Sequence, residues 1–389
     1  MSPHCLVLAA CESHAQITAS PEASHALHLL RSEVGAGARW QFVEHGATPP
    51  WEALQEAFLS IPPEVTHVVL VSNLWILVGP GTLRALHAAL LDDPALRAVC
   101  PPVLDWNQYE AAGNPQSIEA LRALAESCES QAWTPEHRKP VLALVRPNAP
   151  HPAATDSRPQ LAEMLARIHT VPRTCVAVLP PFHGSARLEV LPLVPAHARS
   201  VLDLGCGDGA FGAMVQSLTG ALVTGIESNR EAALKARHRL HRVLADDLAT
   251  ARLAERFDVV TALDILEHLP DPEGSLLRIR DEWLVPGGTL IASLPNSGHW
   301  SVVGDLLAGR CTPLPSGVLC ITHRRLFTPA SAAQWLESHG FLVRSEHPVR
   351  SMVPPPVVEA LRAAESQGMD IAWDSLATLQ CVLVTQTAR

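Results

Sequence analysis

Residues 201–209 read Val201-Leu202-Asp203-Leu204-Gly205-Cys206-Gly207-Asp208-Gly209. A short, mostly apolar run leads into three glycines at alternate positions, and a second apolar run, 221–226, ends at the acidic residue Glu227. This order is typical of a strand–turn–helix unit that binds a nucleotide. Glycines let the backbone turn sharply and pass close to a ligand, and a carboxylate about 20 residues further on accepts hydrogen bonds from ribose hydroxyls.

The spacing of the glycines indicates which kind of ligand the turn accepts. A dinucleotide site has the pattern G-x-G-x-x-G and places a pyrophosphate at the helix N-terminus. Here the pattern is G-x-G-x-G, with Asp203 just before the loop and Asp208 inside it. Because these carboxylates would repel a pyrophosphate, we expect a cationic ligand instead.

The loop resembles motif I of the class I S-adenosylmethionine-dependent methyltransferases, whose ligand carries a sulfonium and an ammonium. Further segments resemble the same family in the expected order: Phe257-Asp258-Val259-Val260, Asp264-Ile265-Leu266-Glu267-His268-Leu269, Val285-Pro286-Gly287-Gly288-Thr289-Leu290-Ile291, Leu294-Pro295-Asn296, His299-Trp300-Ser301-Val302 and Thr322-His323-Arg324-Arg325-Leu326-Phe327-Thr328. Together they look like the subfamily that includes the ubiquinone-biosynthesis O-methyltransferases and many sugar and polyketide methyltransferases. The resemblance covers about residues 186 to 347.

The second half of the chain alternates strand-like and helix-like segments, which predicts an α/β fold with a doubly wound parallel sheet. The predicted strands are 200–204, 221–226, 242–244, 257–262, 289–293, 341–346 and 379–385. A lead-in helix is predicted over 186–194. The resemblance implies a Rossmann-like, seven-stranded, mostly parallel sheet whose final strand is antiparallel. The ligand is expected at the carboxyl ends of the strands.

The resemblance also implies where S-adenosylmethionine binds. Glu227, with its neighbour Ser228, is expected to take the ribose hydroxyls. Asp247 is expected to face the adenine amino group, with Asp246 as the alternative register and Leu248 beside them.

The remaining cofactor contacts are expected around the glycine loop and the end of the fourth strand. Asp203 is expected near the methionine ammonium or bonded to the loop backbone. Leu263 and Asp264 are expected close to the methyl group. The loop itself contributes Gly205, Cys206, Gly207, Asp208 and Gly209.

A hydroxyl acceptor needs a base near the operating pH, and histidine suits that role. Three histidines are candidates: His268 after the fourth strand, and His299 and His323 in the insertion after the fifth strand. An amine acceptor needs no dedicated base, so that alternative stays open. We expect no metal, because Cys311, Cys320 and His323 include no closely spaced cysteine pair.

The N-terminal part also alternates strand-like and helix-like runs, and it resembles inverting, two-layer α/β nucleotide-sugar glycosyltransferases. That family holds a divalent metal with an Asp-x-Asp pair, but the matching positions here are Asn73, Leu74 and Trp75. Because hard cations need oxygen ligands, this departure removes the metal site. We interpret the region as a degenerate domain kept for homodimer formation or for holding substrate. The alternative is an unrelated α/β domain.

Length and composition fit two domains, because 389 residues suffice for two cores. The predicted arrangement is an α/β domain over 1–146, a proline-rich linker over 147–185 and the methyltransferase domain over 186–389. Lys plus Arg number 29 against 39 Asp plus Glu, a net charge of −10, which argues against a nucleic-acid partner. No apolar stretch reaches about 18 residues, so no membrane partner is expected. Nine irregularly spaced cysteines indicate free thiols and a cytoplasmic location.

These observations predict S-adenosylmethionine-dependent methyl transfer to a small hydroxylated metabolite or sugar-like acceptor, to oxygen rather than nitrogen, in saccharide or natural-product biosynthesis. Two alternatives remain. One is a bifunctional glycosyltransferase–methyltransferase, and the other is a scaffold protein that binds the cofactor without turnover.

Overall fold

The computed structural model describes residues 5–11, 21–35, 37–45, 50–72, 76–78, 81–104, 142–147, 161, 168–174, 176–178 and 186–387. The chain forms two compact units. One comprises Met1–Pro180 with Gly304–Ile321, and the other comprises Pro181–Val303 with Thr322–Arg389. The sequence did not suggest that Gly304–Ile321 belongs to the first unit. The predicted domain bounds at 146 and 185 stay predictions.

The first unit is built on a six-stranded sheet of order β2-β1-β3-β7-β5-β8 and a smaller sheet of order β4-β9-β6. Its strands are β1 (Cys5–Cys11), β2 (Arg39–Glu44), β3 (His67–Val71), β4 (Ile76–Val78), β5 (Ala98–Cys100), β6 (Val103–Leu104), β7 (Leu142–Val145), β8 (His169–Thr170) and β9 (Val176–Val178). Its helices are α1 (Pro21–Val34), α2 (Pro50–Leu59) and α3 (Thr82–Asp92). Strand β1 pairs parallel with β2 and β3, whereas β7 pairs antiparallel with β3 and β5.

Strand β1 is apolar throughout because both faces of its sheet are covered. Leu6 and Leu8 pack in one core with Leu54 of α2, while Val7 packs on the other side with Leu86 of α3. The positions Asn73, Leu74 and Trp75 lie outside the described residues. The predicted loss of a glycosyltransferase metal site therefore stays a prediction.

The second unit is built on a seven-stranded sheet of order β12-β11-β10-β13-β14-β16-β15. Its strands are β10 (Ser200–Leu204), β11 (Leu222–Ile226), β12 (Arg242–Leu244), β13 (Phe257–Leu263), β14 (Leu284–Pro295), β15 (Phe341–Arg350) and β16 (Thr378–Thr387). The helices from residue 210 onward are α4 (Ala210–Thr219), α5 (Arg230–Ala236), α6 (Pro272–Arg278), α7 (Trp300–Leu307), α8 (Pro329–Ser338), α9 (Pro355–Ser366) and α10 (Trp373–Ala377). Helix α7 continues from this unit into the segment Gly304–Ile321.

Strands β10 to β14 pair in parallel, and β16 runs antiparallel to both β14 and β15. This arrangement confirms the predicted Rossmann-like sheet and its antiparallel final strand. Both faces are again covered. Leu202 packs in one core with Leu276 of α6, and Val201 packs in the other with Val215 of α4. The carboxyl ends of β10, β11 and β13 therefore share one edge of the sheet.

The predicted lead-in helix over 186–194 is wrong. The segment contains a turn and a single 3-10 turn, Leu191–Leu193, with Pro192 inside it. Proline lacks the N–H that a helix interior needs. Arg187 also has a φ of 44°, which lies outside the helical range for a right-handed helix.

Two further expectations concern the thiols and the membrane. The described cysteines, Cys5, Cys11, Cys100, Cys206, Cys311, Cys320 and Cys381, are all free thiols. Within the described ranges, no helix combines the length and apolar character needed to cross a membrane.

Gly209 and Gly220 cap the two ends of α4, with φ of 83° and 73°. A Cβ added to Gly209 would lie 3.1 Å from the Cα of Ala236, whereas one added to Gly220 meets nothing within 4 Å. We expect Gly220→Ala to cost about 1–2 kcal/mol of unfolding free energy for the left-handed backbone alone. Gly209→Ala should cost about 1–3 kcal/mol more because of crowding. Urea denaturation of both variants measures the two losses, and equal losses would contradict the crowding at Gly209.

Candidate functional site

The glycine loop closes tightly over the end of β11. The amides of Gly205 and Cys206 both donate to the carbonyl oxygen of Ile226, at 2.9 and 3.1 Å. Gly205 has a φ of 66°, and a Cβ there would lie 2.7 Å from Cδ1 of Ile265. Glycine at this position therefore permits both the backbone conformation and the close approach of Ile265.

Glu227 lies where the sequence predicted a ribose-binding carboxylate. Its side chain is buried, and its Oε2 accepts a hydrogen bond from the Gly207 amide at 2.9 Å. Its Oε1 accepts one from the Asn229 amide at 2.7 Å. An ionised carboxylate has about four acceptor positions, so two further hydroxyl donors can still bind. Ser228, beside it, is exposed.

Asp203 is buried beneath the loop and bonds a side chain rather than the loop backbone. The Thr261 hydroxyl donates to its Oδ1 at 2.6 Å. Burial raises the pKa of Asp203 to about 7. The Thr261 hydrogen bond and the Arg187 guanidinium lower this pKa, and the Glu227 carboxylate raises it. The sequence predicted that Asp203 lies near a ligand ammonium or bonds the loop backbone. The first of these two roles stays a prediction.

Asp208 and Cys206 have structural partners within the loop region. Asp208 accepts a hydrogen bond from the Ala210 amide at the start of α4, at 3.0 Å, and lies 2.7 Å from Nη1 of Arg239. Its charge is thus partly offset by this arginine. Burial raises the pKa of the Cys206 thiol, which is therefore neutral. Direct cofactor contacts by these two side chains stay predictions.

The turn after β12 carries the adenine candidates. Asp246 Oδ1 accepts hydrogen bonds from the Asp247 amide and the Thr250 hydroxyl, at 2.8 and 2.7 Å. Asp247 Oδ1 accepts one from the Ala249 amide at 2.8 Å. Both carboxylates are exposed, and Leu248 between them and the core is buried. The geometry suits either aspartate, so the register of one residue stays open.

Asp264 ends β13 in a left-handed conformation, with a φ of 54°. Its Oδ2 lies 2.6 Å from Nη1 of Arg187, and its Oδ1 accepts a hydrogen bond from the Ser293 hydroxyl at 2.8 Å. Arg187 also donates to Oε1 of Gln380 at 3.0 Å. Such a strained backbone persists only where the surroundings hold it firmly, which these contacts do. Leu263, just before it, is half-buried.

Arg187 is the site residue that the sequence did not reveal. Its side chain is only 13% exposed, and it places a guanidinium at the same sheet edge as Asp203 and Glu227. All three guanidinium nitrogens already have protein partners: Nε donates to Glu189, Nη1 to Asp264, and Nη2 to Ser293 and Gln380. No spacing rule distinguishes a single arginine before the first strand from a surface residue.

His268 and His323 come together, although 54 residues separate them in the chain. Their ring centroids are 4.7 Å apart, at an interplanar angle of 74°. Beside them lies Glu267, which is 1% exposed and whose carboxylate oxygens have no hydrogen-bond partner among the described residues. Burial raises the pKa of Glu267 well above its usual value, and the Asp264 carboxylate acts in the same direction.

One ligand atom from each of Glu267, His268 and His323 lies within 4.8 Å of the others, so this group has the geometry to hold a metal ion. The sequence considered only Cys311, Cys320 and His323 and predicted no metal. The described residues now offer a different donor set, and the expected absence of a metal stays a prediction.

His299 lies in a different environment from His268 and His323. It is fully buried, with Nδ1 2.8 Å from the Ser301 hydroxyl and Nε2 2.6 Å from the Ser351 hydroxyl. Burial lowers the pKa of His299 to about 4. Because both ring nitrogens have protein partners, this side chain connects two segments, and its predicted role as a base stays a prediction.

Comparison with known proteins shows which class of domain this site belongs to. Residues 168–346 match a family described as a methyltransferase domain. The ubiquinone biosynthesis O-methyltransferase of Xanthomonas axonopodis pv. citri is 38% identical over 170 residues, which cover 40% of this chain and 65% of that protein. The enzyme of the same description from Pseudomonas syringae pv. tomato is 33% identical over 161 residues, covering 38% and 66%. The chain thus spans just under two thirds of these relatives.

Solved structures give a further comparison. An S-adenosylmethionine-dependent methyltransferase from Mesorhizobium loti is 17% identical, with a TM-score of 0.36, over 52% of this chain and 98% of that one. The N-methyltransferase NodS from Bradyrhizobium japonicum is 15% identical, with a TM-score of 0.35, over 52% and 93%.

Residues 168–346 therefore match a methyltransferase domain, as the glycine loop predicted.

The raised pKa of Asp203 predicts how stability depends on pH. The folded carboxyl keeps its proton up to about pH 7, whereas its ordinary pKa is 3.8, so its stabilising contribution is lost as pH rises between these values. Asparagine cannot ionise and can still accept from Thr261. The unfolding free energy of Asp203→Asn, relative to the wild type, should therefore increase by roughly 2–3 kcal/mol between pH 5 and pH 8.

Asp258→Asn is the matched control. Burial acts to raise the pKa of Asp258, but hydrogen bonds from the Arg199 and Ser200 amides lower it overall. Its stabilising contribution is therefore lost only as pH falls below the ordinary pKa of 3.8, so Asp258→Asn should show no trend between pH 5 and pH 8 and a trend of opposite sign below about pH 4. Denaturant titrations at several pH values measure both trends, and a flat profile for Asp203→Asn would contradict the assigned pKa.

Proposed function

We propose that the whole chain transfers a methyl group from S-adenosylmethionine to a hydroxyl group of a small metabolite or sugar-like acceptor. The observation that carries the proposal is the buried Glu227 carboxylate, held by the Gly207 and Asn229 amides directly beside the glycine loop. The match of residues 168–346 to methyltransferase domains supports the same conclusion.

The charges at the sheet edge fit such a cofactor. Glu227 can accept hydrogen bonds from two ribose hydroxyls. Asp203 offers a buried carboxyl whose ionised form would be stabilised by a nearby ammonium. When bound, S-adenosylmethionine supplies a methyl group on a positively charged sulfur.

The acceptor side is proposed to use His268 or His323. His268 follows the carboxyl end of β13, where ligands of such sheets bind, and the His323 ring lies against it. Either imidazole can take the proton of an acceptor hydroxyl, since histidine exchanges protons near neutral pH. The two compared relatives from Xanthomonas and Pseudomonas are described as O-methyltransferases, which favours oxygen as the acceptor atom. Saccharide or natural-product biosynthesis remains the proposed setting.

A mass-spectrometric assay tests the proposal. Purified protein is incubated with S-adenosylmethionine and a panel of catechols, hydroxybenzoates and sugars, and released S-adenosylhomocysteine is measured beside the acceptor masses. We expect release of S-adenosylhomocysteine together with a methylated acceptor. Binding of S-adenosylhomocysteine with no turnover on any acceptor would instead favour the scaffold alternative, and absence of binding would refute the proposal.

Replacement of Glu227 tests the cofactor site. In Glu227→Gln an amide replaces the carboxylate, and the lost charged hydrogen bonds, about 1.5–3 kcal/mol, should weaken S-adenosylhomocysteine roughly 10- to 150-fold. Glu231→Gln is the control, because Glu231 is exposed and pairs with Lys235 one turn along α5. Calorimetric titration measures both affinities. Equal affinities in the two variants would show that Glu227 does not contact the ligand.

Single replacements of His268 and His323 by Asn test the base. Loss of the base should lower kcat about 10²- to 10⁴-fold, while cofactor affinity stays within about threefold. His339→Asn serves as control, since that histidine contacts Ser338 and the Trp335 carbonyl at the end of α8. Steady-state kinetics with a responsive acceptor and calorimetry supply the readouts. Unchanged kcat in both variants would indicate an acceptor that needs no base.

A further inference from the structure

The first unit carries a row of basic side chains on three neighbouring strands. Val68 of β3 and Ala98 of β5 both pair with Val145 of β7. One step further along each strand, His67, Arg146 and Arg97 therefore lie side by side. The Arg146 amide donates to the Arg97 carbonyl at 2.8 Å, which shows that the pairing continues to this level.

These three side chains share one face of the sheet. Alternate residues of a strand point to the same side, so His67 goes with Val69, Arg146 with Leu144 and Arg97 with Val99. Val69, Leu144 and Val99 all belong to the core that packs against α3 through Leu83, Leu86 and Leu90.

Helix α3 adds a fourth basic side chain to this row. The His87 ring lies 4.8 Å from the His67 ring, centroid to centroid, at an angle of 72°. All four side chains are half-buried, so the cluster of His67, His87, Arg97 and Arg146 remains open to solvent on one side.

Several nitrogens of this basic cluster have no partner among the described residues. Nε and Nη2 of Arg97, which are donors, and Nε2 of His67 are buried and make no hydrogen bond within the described part of the chain. Nδ1 of His67 lies 3.0 Å from the Thr66 hydroxyl, and Arg146 donates to the carbonyls of Leu90 and Pro94. Among the described residues, no salt bridge joins any of the four to a carboxylate.

Such an arrangement is unfavourable without an anion. A buried donor left unpaired lacks the hydrogen bond that water would otherwise give it, and like charges in a half-buried place repel each other. Burial lowers the pKa of His67 to about 4, and the nearby His87 and Arg146 act in the same direction. An oxyanion at this place would accept from the unpaired donors and offset the positive charge at once.

We propose that the basic cluster binds the phosphate group of a small phosphorylated ligand. The guanidinium groups of Arg97 and Arg146 supply two permanent positive charges, which match a doubly charged phosphate, and their planar donor sets suit its oxygens.

Calorimetric titration of the full chain with inorganic phosphate at pH 7, at constant ionic strength in chloride, tests this site. We expect saturable binding with one phosphate per chain. Arg97→Gln should weaken it at least tenfold, because the variant loses the charge and the unpaired donors. Arg84→Gln is the matched control on α3. Arg84 is exposed and lies near Glu33, where its charge acts to lower the pKa of that carboxyl, so the affinity of this variant for phosphate should stay within twofold of the wild type.

Each remaining outcome decides the proposal. No saturable binding up to about 50 mM phosphate, or equal affinity in Arg97→Gln and the wild type, overturns it. Acetate binding as tightly as phosphate also overturns it, because the cluster would then be a carboxylate site. Should circular dichroism show that Arg97→Gln does not fold, Arg146→Gln replaces it, because Arg146 supplies the second permanent positive charge; the same tenfold loss is expected.

Discussion

Two backbone amides, those of Gly207 and Asn229, converge on the buried carboxylate of Glu227. Hydrogen bonds to an ionised acceptor are about twice as strong as neutral ones. This carboxylate therefore fixes the glycine loop after β10 against the start of α5. The side chain of Asn229 in turn caps α5 by accepting from the Glu231 and Ala232 amides. Strand pairing sets the geometry, because Leu204 and Ile226 are register partners and both segments leave the sheet at one level.

The same edge of the sheet also gathers charged and acidic side chains. Asp203, Glu227 and Glu267 are all buried at or near one edge of the sheet. The charge that faces them comes from Arg187, which Asp264 already engages at 2.6 Å. Burial of carboxyl groups disfavours their ionised forms, as the raised pKa values of Asp203 and Glu267 show. A cationic ligand would relieve this cost, whereas an anionic one would increase it.

Local patterns sufficed for the parts of the site that lie at strand ends. Apolar runs located β10 and β12 to the residue, and Glu227 followed from its place after β11. Such local patterns could not predict which residues distant in the chain come into contact. Arg187 meets Gln380 across 193 positions, and His323 meets His268 only after the chain has passed through β14 and α7. The lead-in helix failed for a local reason, since Pro192 interrupts it.

The net charge of the chain likewise did not predict where charged side chains gather. The chain carries −10 overall, and this total correctly describes an acidic protein, yet His67, Arg97 and Arg146 gather on one sheet face. Strand register causes this clustering: the side-chain period of a strand is two, so a slip of one residue in β5 would move Arg97 to the opposite face. The ladder between Ala98 and Val145 prevents that slip. Which charged side chains lie together thus depends on how the strands are aligned, and the net charge of the whole chain does not reveal it.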